Sequence, residues 1–150
     1  IRDSYTTEYP VKDFCMSHSR LEPIKELPQA QAAKTTLANL FTIAREEIGE
    51  EAALEFDGEL VTSMHCPNCD ETTPVFKRMA RLYEQEQTCP ECGTKRDLNL
   101  THRIEGSEDF LDRTLAEIDI PPLSIIRARN GEKRVYYEIT GDKETFLTFE

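Results

Sequence analysis

The chain has 150 residues, a hydrophobic fraction of 38% and a charged fraction of 31%, which suits several short elements around small cores better than one large core. Its 29 acidic and 18 basic residues give a net charge of −11, which repels phosphate backbones and argues against a nucleic-acid reader. No apolar run reaches the length of a membrane span and no signal-peptide pattern is visible, so the sequence reads as cytosolic, with no membrane partner.

In chain order, Pro10, Pro23 and Pro28 interrupt a first stretch without sustained periodicity, which predicts an irregular arm. It contains Cys15, the odd thiol of five cysteines. A buried, inert cysteine is one reading. The other is a nucleophilic, thioester-forming cysteine with His18 and Arg20 close enough in sequence to lower its pKa, and Cys15 is thereby the one catalytic candidate. From Ala30 to Ile48 the pattern turns helical: Leu37, Leu40, Phe41, Ala44 and Ile48 recur at three- and four-residue spacing, and Gly49 supplies the stop.

Leu54 and Phe56, then Asp57-Gly58, then Leu60, Thr62 and Met64 predict a β-hairpin turning at Asp57-Gly58. It feeds into His65-Cys66-Pro-Asn-Cys69, and a second pair follows at Cys89-Pro-Glu-Cys92. Two C-x2-C pairs separated by 19 residues fall in the window of a four-thiolate zinc site. Two residues between cysteines let both sulfurs of a pair face one point, and two such knuckles complete the closed tetrahedral shell that zinc prefers. Pro67 and Pro90 stiffen the two turns, and Gly93 can adopt the positive φ expected just past the second pair. Disulfides suit an exported protein. A redox C-x-x-C needs positive charge nearby, whereas Asp70, Glu71 and Glu91 crowd these pairs. Iron in the same four-sulfur geometry is the alternative metal. With Cys66, Cys69, Cys89 and Cys92 all ligating, the ion would be structural, with no position left open for water. His65 could replace a cysteine, although its place directly before Cys66 favours the four-sulfur set.

Between the knuckles, Pro74–Tyr83 is expected to be a strand, and Lys77, Arg78 and Arg81 form a basic cluster read either as a solvated face or as a seat for an acidic protein partner. Past Gly93, Leu98, Leu100, His102 and Ile104 alternate with polar residues, predicting a strand with His102 facing inward. Ser107 with Glu108 and Asp109 marks a helix start, and Phe110, Leu111, Leu115 and Ile118 give it an apolar stripe that ends at Pro121-Pro122. Residues 123–139 form the strongest hairpin signal, turning at Asn130-Gly131, with a third strand expected over 145–149.

The fold expected is therefore α+β, with small antiparallel sheets, a central zinc ribbon and two amphipathic helices. It is organised as an arm plus helix (1–52), a four-cysteine zinc ribbon with its leading hairpin (53–105), and a helix plus antiparallel hairpin (106–150). No G-x-G-x-x-G, P-loop or G-x-S-x-G is present, so the chain by itself offers no recognisable catalytic apparatus.

The order Asp13-Phe14-Cys15, a helix opening on Thr35-Thr36, the Leu54–Leu60 segment and then His65-Cys-Pro-Asn-Cys69 resembles the C-terminal region of ThiF/MoeB-type, ubiquitin-activating-enzyme-like proteins. The resemblance spans residues 10–70, and the second knuckle and the tail from Asp109 are similar to the C-terminal extension of bacterial ThiF-like proteins found with ubiquitin-like modifiers. It implies ATP-dependent adenylation of a modifier's C-terminus, with Cys15 near the thioester cysteine and a structural zinc. The glycine-rich nucleotide-binding half of that family has no counterpart here. This chain would then be the zinc-bearing, docking portion of an adenylyltransferase, partnered by a ubiquitin-like modifier or by the rest of an activating enzyme. The alternative is a free-standing zinc-ribbon adaptor that binds another protein.

Overall fold

A computed structural model describes residues 24–147 of the chain. The elements run β1 (Ile24–Leu27), α1 (Leu37–Ile48), β2 (Ala53–Cys66), β3 (Glu71–Arg78), β4 (Asp97–Ile104), β5 (Ile125–Asn130), β6 (Lys133–Ile139) and α2 (Lys143–Leu147), with 3-10 turns at Met79–Arg81, Glu84–Gln87 and Ala116–Ile118. The class is α+β, as expected, but the strands join in one mixed six-stranded sheet instead of several antiparallel ones. Its path is β1-β6-β5-β2-β3, with β4 on the other side of β2. β1 lies parallel to β6, Ile24 opposite Tyr136 and Leu27 opposite Ile139. The arm, the ribbon and the C-terminal segment thus each contribute strands to the same sheet.

β2 is the organising strand. Its first residues lie between β4 and β5, and its later ones between β4 and β3. The expected hairpin at Asp57-Gly58 is not formed. From Glu55 to Leu60, β2 advances five residues while β4 advances from Arg103 only to Thr101, so the Asp57-Gly58 segment bulges out of a continuous strand. Gly58 has φ 99°, a conformation that glycine adopts without steric cost. The turn signal was real, but strand β4 pairs on both sides of it and holds the chain on one course.

The apolar stripe of α1 is core, as its spacing predicts: Leu37, Leu40, Phe41, Ala44 and Ile48 are all buried. They meet Leu54, Leu60, Ile104, Ile126, Ala128, Tyr137 and Ile139 from the sheet. Thr36 caps the helix, its hydroxyl accepting from the Asn39 amide at 3.2 Å while the Asn39 side chain accepts from the Thr36 amide at 3.0 Å. This reciprocal pair satisfies two of the donors a helix start leaves open. Thr36→Ala is expected to cost about 1 kcal/mol, read as a lowered urea midpoint at unchanged slope.

The helix expected over 108–119 is replaced by turns and the short Ala116–Ile118 3-10 segment. Its apolar stripe is still used, since Leu115 and Ile118 are fully buried. The backbone, however, bonds across to the segment ahead of α1: Leu115 N–H to Thr35 O at 2.9 Å and Ala116 N–H to Ala32 O at 2.8 Å. In return, the Ala38 and Leu37 amides donate to Leu111 and Arg113 carbonyls. Long-range partners thus take the groups a helix would have paired internally. At the end of the chain, α2 occupies positions where a third strand was expected, with Lys143 N–H donating to Thr140 O at 3.0 Å. The 125–139 hairpin forms as read, with Asn130 opposite Lys133 across the turn. Among the described residues, no helix is long and apolar enough to cross a membrane.

Candidate metal centre

Beyond Val61 and Thr101 the sheet narrows to three strands, β3-β2-β4, and this arm carries the cysteines. Cys66 is the last residue of β2, and the turn after it brings Cys69 back toward the same point. The Asp70 amide donates to the Cys66 carbonyl at 2.9 Å, and the Gly93 amide to the Cys89 carbonyl at 2.9 Å. Both residues after the second cysteine of a pair take positive φ, 54° at Asp70 and 72° at Gly93. The two knuckles are the same device, and Gly93 behaves as its position predicts. Thr88 and Lys95 form a β-bridge around the second knuckle, reinforced by the Cys89 amide donating to Thr94 O at 2.8 Å.

The four sulfurs lie within 4.8 Å of one another, with Cys66 Sγ 3.5 Å from Cys92 Sγ and Cys69 Sγ 3.9 Å from Cys89 Sγ. A disulfide would bring two of them to about 2.05 Å. A tetrahedral thiolate shell with metal–sulfur bonds of about 2.3 Å places its sulfurs about 3.8 Å apart. The observed spacing fits that shell, so the cluster can hold a metal ion. Cys66 and Cys89 are buried, while Cys69 and Cys92 face solvent. Within the cluster, the Thr94 hydroxyl and amide hold the Cys92 thiolate and draw its pKa down to about 6. Hydrogen bonding to Cys92, aided by desolvation, pushes Cys69 up to about 12.

His65 is not in the donor set. Its Nδ1 is 3.1 Å from the Thr72 hydroxyl, and its Nε2 is 3.9 Å from the Asp70 carboxylate. His102, expected to face inward, is exposed; it lies opposite the β2 bulge, between the Arg103–Glu55 and Thr101–Leu60 pairs. Cys15 lies outside the described residues.

The basic cluster is largely neutralised from within. Lys77 bonds both Glu86 oxygens at 2.7 and 2.9 Å, and these contacts, with the Tyr83 amide, hold the Glu86 carboxyl below the usual carboxylate range. Arg81 pairs with Asp119. The Lys77 ammonium also lies 5.4 Å from the ring centre of Tyr83, which is 72% exposed.

Sequence reading missed a buried ionic cluster. Glu55 is only 6% exposed and is held by Arg103 at 3.0 Å and by Arg127, which lie opposite it on the two flanking strands. Nothing local signals it, since Glu55 reads as an ordinary polar position between Leu54 and Phe56. Comparison with protein-family models, with curated proteins and with solved structures returns no match.

Proposed function

We propose that this chain is a zinc-stapled protein-docking module of the reducing cytoplasm, in which the metal holds shape and does no chemistry. The observation that carries this is the donor set. Four thiolates at tetrahedral spacing select zinc over hard cations and leave no coordination position for water or substrate. The exposed Tyr83 beside Lys77 gives the arm an aromatic anchor of the kind that dominates protein contacts. Metal analysis of purified protein should return one zinc per chain and no iron. A colourless protein without zinc would defeat the proposal.

Within that role, we propose service beside a ThiF/MoeB-type activating enzyme and a ubiquitin-like modifier, with Cys15 as acceptor of the modifier. Its support is the order of motifs from Asp13-Phe14-Cys15 to the first C-x-x-C. The chain would be mixed with a ThiF/MoeB-type adenylating domain, ATP and modifier. The Cys15 thiol should then displace AMP from the adenylated modifier and form a thiol-labile adduct, absent in Cys15→Ser. A chain that binds neither component is instead the free-standing adaptor.

A further inference from the structure

A cavity of about 550 Å³ opens on the core end of the sheet, between the β2 bulge and the start of β5. Its volume is in the range of ligand sites, about 300–1,000 Å³. Phe56, Ile120, Ile126 and Tyr136 line it, and each is less than one-tenth exposed. Leu123, in its wall, has φ 62°, a left-handed backbone that a branched side chain adopts only at a cost. The surroundings impose it: the Leu123 amide donates to Ile139 O at 3.1 Å, and Ser124 O accepts from the Ile139 amide at 3.0 Å. Such strain concentrates at binding sites.

The charges at this cavity decide what it can take. Arg127 and Arg103 are balanced by Glu55 and Glu105. Asp119 is also committed, its oxygens accepting from Arg81 and from the backbone amide of Arg78. Arg78 remains. Its guanidinium donates to the carbonyl of Asp57, and among the described residues no carboxylate meets it. Most of its five donors are therefore left for a ligand, in a chain whose net charge is −11.

We propose that this cavity captures the C-terminal residue of a partner polypeptide, with its aliphatic side chain on the apolar lining and its terminal carboxylate on Arg78. A terminal residue carries both groups on one carbon, as a compact cavity with one cation left uncommitted requires, and a carboxylate matches the guanidinium fork. An internal acidic residue would need a neighbour to fill the apolar part. Asp57, at the same rim, opposes the incoming charge. The site lies apart from the sulfurs and adds a second contact to the docking role, so its failure would leave the zinc reading untouched.

The test is an amide-resolved NMR titration of the full zinc-loaded chain with N-acetyl-leucine, N-acetyl-leucinamide and N-acetyl-glutamic acid α-amide. N-acetyl-leucine should shift the amides of Arg78 and of residues 123–127. The leucinamide should bind about ten-fold more weakly, the cost of one charge-assisted contact. Arg78→Gln should lose the same factor at unchanged zinc content, and Asp57→Asn should tighten binding. Equal affinity for acid and amide, stronger binding of the glutamic α-amide, or no shifts up to roughly 20 mM probe would each overturn the proposal. The comparison of ligands on the unaltered chain stands even where a variant fails to fold.

Discussion

Removing the metal with a chelator, or replacing Cys66 with serine, is expected to unfold the cysteine-bearing arm while the α1 side of the molecule stays folded. Within the arm β2 buries Val61 and Met64, but the strands and turns around it bury little. Every residue of β3 is exposed or half-exposed, neither 3-10 turn between the knuckles buries a side chain, and Ile104 is the one buried residue of β4. The main apolar cluster reaches the arm at Leu60 and Ile104, with the half-buried Phe76 of β3 packed against it. Structural zinc contributes about 10–16 kcal/mol in small zinc-binding peptides, more than any one of those contacts, each worth about 1.5–3 kcal/mol when fully buried. Amide exchange should show the division: protection of residues 61–100 collapses without metal, while α1, β5 and β6 remain slow. Protons compete for thiolates, so the metal-dependent protection should also fall as pH is lowered. An arm that keeps slow exchange without metal would show that its backbone pairing suffices.

What could be read from the sequence was what is encoded locally. The two knuckles depend on four cysteines and the residues directly after them, and Gly93 shows the backbone its place demands. The α1 stripe and the Asn130-Gly131 hairpin are equally short-range. What escaped was decided by distant partners. Asp57-Gly58 carries a hairpin signal, yet β4 spans it and turns it into a bulge. Phe110, Leu111, Leu115 and Ile118 have helical spacing, but the carbonyls of Ala32 and Thr35 capture the amides of Ala116 and Leu115. β1 is four residues long and pairs in parallel with a strand more than a hundred positions on, a match no local pattern announces. At the site, the sulfurs were visible from spacing, whereas the neutralisation of Lys77 and Arg81 depended on Glu86 and on Asp119, which the sheet brings in from beyond β4.

Glu55 gives an asymmetric result. Removing both of its partners, in Arg103→Ala/Arg127→Ala, is expected to cost about 3–5 kcal/mol, because a carboxylate that is 6% exposed is then left without a counter-charge. Either single variant should cost less than half of that, since the other arginine remains within reach of one carboxylate oxygen. Glu55→Leu should be far milder. The side chains of Arg103 and Arg127 are 38% and 43% exposed, so both can turn to water, and Arg103 keeps Glu105 at 2.5 Å. Exposed pairs of that kind are worth only about 0–1 kcal/mol. Urea midpoints of the four variants, at constant slope, separate the possibilities. If Glu55→Leu proved as damaging as the double variant, attraction within the trio would be the stabilising force. The predicted order instead makes the arginines a remedy for burial: β2 needs an apolar flank on each side of position 55 to reach the core, and the carboxylate carried between them must be neutralised in place.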